Sequence, residues 1–164
     1  MTKFSTRSTL SLNVHGESHP NVALLYNTIG NVYRKKGDVD KALEYYSNSL
    51  TIYLNMYGEN HPKVAMSFKD IGNEYEIKGK LDQALEYHRK SLKVRLKVYG
   101  ENHADVADAY ENVALVLTQM GRGNPESTLA YMENTLRIRH TCIGKDDPDV
   151  TRAEKITEEL TEWL

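Results

Sequence analysis

The chain of 164 residues has one cysteine, Cys142, so no disulfide can form within it and a reducing compartment suits it. Its apolar runs are short and interrupted by tyrosine, far below the ~20 residues of a membrane-spanning helix. The start, Met1-Thr2-Lys3-Phe4, lacks the apolar segment of a secretory signal, and the expected location is cytoplasmic. Net charge is nearly absent: 21 Lys and Arg against 23 Asp and Glu leave −2. No global field therefore draws in nucleic acid or an anionic membrane. Signatures of chemistry are missing too. There is no nucleophile–base pairing, phosphate-cradling glycine loop or cluster at metal-ligand spacing, and Gly121-Arg122-Gly123 reads as a long turn. An enzyme, a cofactor and a small-molecule substrate are not expected.

What is present is repetition. Gly58-Glu59-Asn60-His61 returns 42 residues later as Gly100-Glu101-Asn102-His103, and Gly16-Glu17-Ser18-His19 stands one period earlier. Ile29-Gly30-Asn31 returns as Ile71-Gly72-Asn73, and Ala42-Leu43-Glu44-Tyr45 as Ala84-Leu85-Glu86-Tyr87. About half the residues of 19–60 recur identically in 61–102. Periods of roughly 20–50 residues mark solenoids, in which each unit buries its apolar face only against its neighbours. Such a chain is a binding scaffold before it is a catalyst.

Each period holds two helical patterns. Val22, Ala23, Tyr26, Ile29, Gly30 and Tyr33 recur at three- and four-residue steps and share one face. Lys36-Gly37-Asp38 breaks that helix, with glycine suited to the left-handed position past its end. Ala42, Leu43, Tyr46, Leu50 and Leu54 mark a second apolar stripe that ends at Gly58. Asn60-His61-Pro62 restarts the cycle, since proline is tolerated in the first helical turn. Asp147-Pro148 does the same for a last helix.

The spacing predicts eight helices in these divisions: 1–18 a partial repeat (second helix only, over 4–15), 19–60 repeat 1, 61–102 repeat 2, 103–146 repeat 3, and 147–164 a closing helix. Repeat 3 is degenerate. Ala114 stands where Gly30 and Gly72 stood, Leu117 replaces Tyr33 and Tyr75, and the turn before Pro125 is two residues longer. Val150, Ala153, Ile156, Leu160 and Trp163 line the closing helix, whose outer face carries Glu154, Glu158, Glu159 and Glu162. Charge is uneven along the chain. Residues 61–102 hold nine Lys and Arg against six Asp and Glu, whereas 103–164 hold six against twelve.

Bulky Tyr26, aliphatic Ile29, small Gly30, Tyr33 and Ala42, repeated as Phe68, Ile71, Gly72, Tyr75 and Ala84, resemble the pattern of tetratricopeptide repeats. The 42-residue period, against the usual ~34, and the Gly-Glu-Asn-His-Pro hinge resemble the kinesin light chain type of repeat. The resemblance implies an all-α, right-handed superhelical solenoid of antiparallel helix pairs. It implies a protein–protein interaction adaptor without naming its partner, because one scaffold hosts many functions. The heptad coiled coil through which a kinesin light chain joins its motor is absent, so motor association is not expected. Gly30 and Gly72 let paired helices approach closely, despite a propensity cost of about 1 kcal/mol each. The tyrosines recur in register and are read as packing rather than as platforms for bases.

His19, His61 and His103 recur at one period and invite a metal-site reading. Stacked repeats lie ~8–10 Å apart, whereas zinc needs its ligand nitrogens at ~2 Å from one ion. Hinge and cap is the reading that geometry permits, and no metal is expected. His88 and His140 lie alone on second helices and are read as packed or exposed. Arg89, Lys93 and Lys97 form a stripe on a second helix beside Lys90 and Arg95. A solvated face is the plain reading of that stripe; an acidic partner or a phosphate backbone is the sharper one.

In the fold the resemblance implies, first helices line the concave surface. Their outward positions are Asn27, Asn31 and Arg34 in the first repeat and Lys69, Asp70, Asn73 and Glu76 in the second. Asp108, Glu111, Asn112 and Gln119 follow in the third, then Arg152 and Lys155 on the closing helix. Asparagine both donates and accepts, so Asn27, Asn31, Asn73 and Asn112 suit an extended peptide's main chain. Lys69, Arg34 and Arg152 would attract acidic side chains, and Asp108 and Glu111 a basic one. Lys69, Asn73, Asn112 and Arg152 partly match the family's carboxylate clamp, with Ile156 where a basic residue belongs. The expected ligand is a protein or peptide segment. The alternative is a structural piece of a longer array that self-associates through Phe4, Leu10 and Leu12.

Overall fold

The computed structural model describes residues 19–121, 125–144 and 147–162. Seven helices and no strand occur among them: α1 (Pro20–Lys35), α2 (Val39–Tyr57), α3 (Pro62–Ile77), α4 (Leu81–Tyr99), α5 (Ala104–Met120), α6 (Pro125–Cys142) and α7 (Pro148–Thr161). These are the expected helices of the three repeats and the closing element. The expected first helix, over 4–15, and Trp163 lie outside the described residues. Packing runs mainly from neighbour to neighbour, α1 on α2, α2 on α3 and so on to α6 on α7, which is the contact pattern of a solenoid. No helix among the described residues is long and apolar enough to cross a membrane.

The turns follow from the punctuation in the sequence. At the end of α1, Gly37 takes φ 77°, where a side chain would clash with the following carbonyl. Its amide donates to the Arg34 carbonyl at 3.0 Å and the Asp38 amide to the Tyr33 carbonyl at 3.0 Å, a Schellman closure. Gly79 repeats it at the end of α3, its amide donating to the Glu76 carbonyl at 2.8 Å and the Lys80 amide to the Tyr75 carbonyl at 2.9 Å. The histidine hinge behaves as the spacing demands. His19, His61 and His103 each accept through Nδ1 from the amide two residues on, at 3.2, 3.2 and 3.1 Å. Each is thus the N-cap of its own helix. Tyr57 stacks on His61 with ring centroids 4.0 Å apart, and Tyr99 on His103 at 4.3 Å. Cap and ring stack together fix the angle at which the next unit leaves.

Within each helix pair the close approach is enforced from both sides. A Cβ built on Gly30 would lie 2.7 Å from the Tyr46 ring, and one on Gly72 2.7 Å from the His88 ring. Tyr46 and His88 are almost wholly buried. In the third pair Ala114 faces the same layer, and the ring position is taken by Met132, also buried. A hydroxyl then ties each pair together. Ser49 donates to the Ala23 carbonyl and Ser91 to the Ala65 carbonyl, both at 2.8 Å, and Thr135 to the Ala107 carbonyl at 3.4 Å. The tyrosines are packing elements: Tyr33 stacks on Tyr45 at 5.4 Å and Tyr75 on Tyr87 at 5.5 Å.

Candidate functional site

Polar side chains of successive first helices meet one another and form a continuous wall. Tyr46 donates its hydroxyl proton to Asn31 Oδ1 at 2.8 Å, Asn31 donates to Asn27 Oδ1 at 3.2 Å, and Asn27 donates to Asp70 Oδ2 at 3.2 Å. This relay runs from α2 through α1 to α3. Burial, with the Asp70 carboxylate nearby, pushes the Tyr46 hydroxyl up to about 12, so it stays a donor. Burial also raises the Asp70 carboxyl, against the pull of Lys69 and the bond from Asn27. Asn27 is only 7% exposed. Expected to stand free as rungs of a ladder, Asn27 and Asn31 are partnered internally instead, because the Asp70 carboxylate takes a donor of Asn27 and the Asn27 amide oxygen takes one of Asn31.

One turn further along α3 sits Glu74, with a fully buried side chain. Neither of its carboxylate oxygens has a hydrogen-bond partner. Arg34 Nε stands 3.9 Å away on α1, itself 44% exposed. Burial raises the Glu74 carboxyl; Arg34 works against the shift and Asp70 adds to it. The same position carries Val32 in the first unit and Val116 in the third.

In the third unit the charges are paired with one another. Arg139 of α6 is 1% exposed. It donates to Glu111 Oε2 at 2.7 Å, Asp108 Oδ1 at 3.0 Å and the Asp149 carbonyl at 3.0 Å. Burial disfavours its charge, but the bonds to Glu111 and Asp108 outweigh that and hold its pKa above the ordinary value. Arg152 closes on Glu111 from α7 with bonds of 2.8, 3.0 and 3.2 Å. Glu111 and Arg152, expected to face a ligand with opposite preferences, therefore satisfy each other. Sequence reasoning missed Arg139. Its signal was available, because Arg95 holds the same place in α4 and donates to the Asp105 carbonyl, ten residues on, just as Arg139 donates to that of Asp149.

Lys69, Asn73 and Asn112 remain. Asn73 and Asn112 are half-buried, and no side-chain hydrogen bond holds either among the described residues. Lys69 is 34% exposed and lies 3.9 Å from Asp70 Oδ1. It lines a cleft of about 290 Å³ with Pro62, Lys63, Met66, Arg95, Tyr99 and Asp105. The cleft thus joins an apolar wall to three cationic side chains and one carboxylate. No feature of the sequence pattern pointed to it, because its residues come from three successive helices, α3, α4 and the first turn of α5.

A family model for the tetratricopeptide repeat matches residues 21–96 and 75–122, together more than half of the chain. None of the curated proteins is a significant match. Among solved structures, BtubC (BKLC) from P. vanneervenii superposes with a TM-score of 0.79 at 23% identity over 88% of this chain. The chain spans 57% of the length of that protein. A Podosopora anserina protein of the kinesin light chain type, with nearly identical TPR-like repeats, superposes with a TM-score of 0.75 at 16% identity, covering 97% of this chain and 81% of its own. A single-substitution form of that protein gives a TM-score of 0.76 at 16% identity, covering 98% and 81%. At these identities the likeness is one of fold.

Proposed function

The chain belongs to the tetratricopeptide repeat family, and from that premise we propose that it is a non-enzymatic adaptor holding a peptide segment against the polar face of its first helices. Repeats of this family serve generally as protein–protein interaction scaffolds. The observation that carries the finer reading is the cleft beside Lys69, where an ammonium group without a close hydrogen-bonded partner borders apolar Pro62, Met66 and Tyr99. Such a notch accepts an acidic or C-terminal carboxylate with an apolar neighbour. Asn73 and Asn112 retain donors and acceptors for main-chain contacts, and half-exposed Arg34 adds charge. Asn27, Asn31 and Arg152 hold the wall rigid, so that little ordering cost falls on binding.

The test is a peptide-display screen against the wild type and a Lys69→Glu/Asn73→Ala double variant at low and moderate salt. A motif rich in acidic residues should enrich on the wild type and be lost by the variant. Lys69→Glu alone should weaken such a ligand by about twofold or more, as for a partly exposed charge contact, and leave the melting temperature unchanged. An acidic motif that the double variant binds equally well would remove this face from the site.

A further inference from the structure

A second groove lies on the other set of helices. The main packing runs α2 on α3 and α3 on α4, so α3 bridges the second helices α2 and α4. The gap encloses about 500 Å³, with Leu54, Phe68, Tyr87 and Val94 among its lining. Lys90, Lys93 and Lys97 of α4 border it. Lys90 is engaged, bonded to Glu86 at 2.6 Å and lying over the Tyr87 ring at 5.0 Å. Lys93 and Lys97 are exposed, and no carboxylate among the described residues pairs with them.

The repetition supplies an internal control. In the corresponding gap between α4 and α6, Arg137 stands in place of Lys93 and donates to Asn102 Oδ1 at 2.9 Å, tying the second helix to the hinge. Asn134 and Thr141 stand in place of Lys90 and Lys97. The equivalent hinge residue of the first gap, Asn60, borders the groove with no such tie to Lys93. One gap is therefore strapped and low in charge, and the other is open, apolar within and basic at its edge.

We propose that the gap between α2 and α4 is a docking groove for an acidic amphipathic peptide segment of a partner protein. The segment seats aliphatic side chains against Leu54, Phe68 and Val94 and sets carboxylates against Lys93 and Lys97. Charge complementarity selects this occupant. Residues 1–18 carry Lys3 and Arg7 against Glu17 and lack the required sign. A second copy would offer the acidic face of α7, but the exposed positions there are polar or charged apart from Pro148 and leave the apolar lining uncovered. A nucleic acid strand would pair its phosphates with the lysines, yet it has no aliphatic side chains to seat against Leu54, Phe68 and Val94.

The experiment is fluorescence anisotropy with a labelled, blocked, helix-forming peptide bearing two leucines one turn apart among glutamates. A glutamine-for-glutamate version and a single-stranded oligodeoxynucleotide serve as competitors. The acidic peptide should bind the wild type, and Lys93→Glu/Lys97→Glu should weaken it by about tenfold, a loss of ~1.4 kcal/mol. Lys93→Arg keeps the charge but can reach Asn60 as Arg137 reaches Asn102, and should weaken it by about threefold. Melting curves of both groove variants should overlay the wild type. Loss in Lys69→Glu alone would overturn the groove and place the peptide on the first-helix wall. No binding, equal binding of the glutamine peptide, or full displacement by the oligonucleotide would overturn it as well. So would a concentration-dependent mass in light scattering that vanishes in Lys93→Glu/Lys97→Glu, which would make the groove a contact between copies.

Discussion

The second and third units stack by the same rule and dispose of their polar groups in opposite ways. At one equivalent position the second unit has Lys69, partly exposed beside an open cleft, where the third has Glu111, buried and held by two arginines. At another, the second has Glu74, buried with no hydrogen bond, where the third has Val116. Between paired helices, Gly72 abuts the flat His88 ring in the second unit, while Ala114 meets the pliable Met132 in the third. The unit closest to the repeat pattern keeps charges that its own fold leaves poorly paired, and the unit that departs from it uses its charges to tie its helices to the one that follows. Regularity in the sequence therefore goes with poorly paired charge here, and degeneracy with charge paired inside the stack.

The largest effect should come from the closing network. Arg139→Ala strands Glu111 inside the protein with only half-exposed Arg152 to face it. Breaking a buried pair from one side costs about 3–5 kcal/mol, read as a lower midpoint in urea unfolding. A loss under about 1 kcal/mol, the range of surface pairs, would show that the third unit's charges are ornamental and collapse its contrast with the second.

Next in size is the helix contact. Gly72→Ala drives a methyl to 2.7 Å from the His88 ring, an overpacking worth about 1–3 kcal/mol. Gly72→Ala with His88→Met copies the Ala114–Met132 pair and should recover most of that loss, giving a large coupling in a double-mutant cycle. Additive losses would mean that the glycine is needed for something other than the ring.

Much of this was legible in the chain. The 42-residue period and the Gly, Pro and His punctuation located the seven described helices and the capping hinge, because those features act within a few residues of themselves. Gly30 and Gly72 signalled close approach correctly, since a missing Cβ in a helix has few other uses. The polar wall was legible only in part. Sequence spacing places Asn27, Asp70, Glu111 and Arg152 on outward positions, yet cannot say that a partner on the neighbouring helix will occupy them. Arg139 and Arg95 were hidden for the converse reason, because each folds inward to a backbone carbonyl ten residues on. Ser49, Ser91 and Thr135 kept the period throughout and could have been read as ties between paired helices.

Glu74 allows a test by gain of stability. Glu74→Val restores the residue of the flanking units and releases Arg34 to solvent, at which it is already 44% exposed. Replacing a poorly satisfied buried charge by an apolar side chain of fitting shape should raise stability by about 1–3 kcal/mol at neutral pH. A destabilised variant would show that the carboxylate has a satisfying environment and would erase the contrast with Val116.

The smallest effect, and the most diagnostic, is on pH. Burial raises the carboxyl of Glu74, and that of Asp70, above their ordinary values. Between the ordinary value and the raised one, the folded protein holds a proton that the unfolded chain has released. Stability therefore rises as pH falls through the folded value, levels off below the unfolded value, and is lower above both. The charged groups acting on Glu74 are Arg34, which opposes the shift, and Asp70, which reinforces it. Urea midpoints followed from neutral pH downwards should thus show an upward component in the wild type that shrinks in Glu74→Val and vanishes when Asp70→Asn is added. Arg34→Gln should enlarge it, because the one cation opposing the proton is gone. Superimposable pH profiles for wild type and Glu74→Val would mean that Glu74 carries its charge as comfortably as an exposed glutamate, and the second unit would then hold no buried tension for a ligand to relieve.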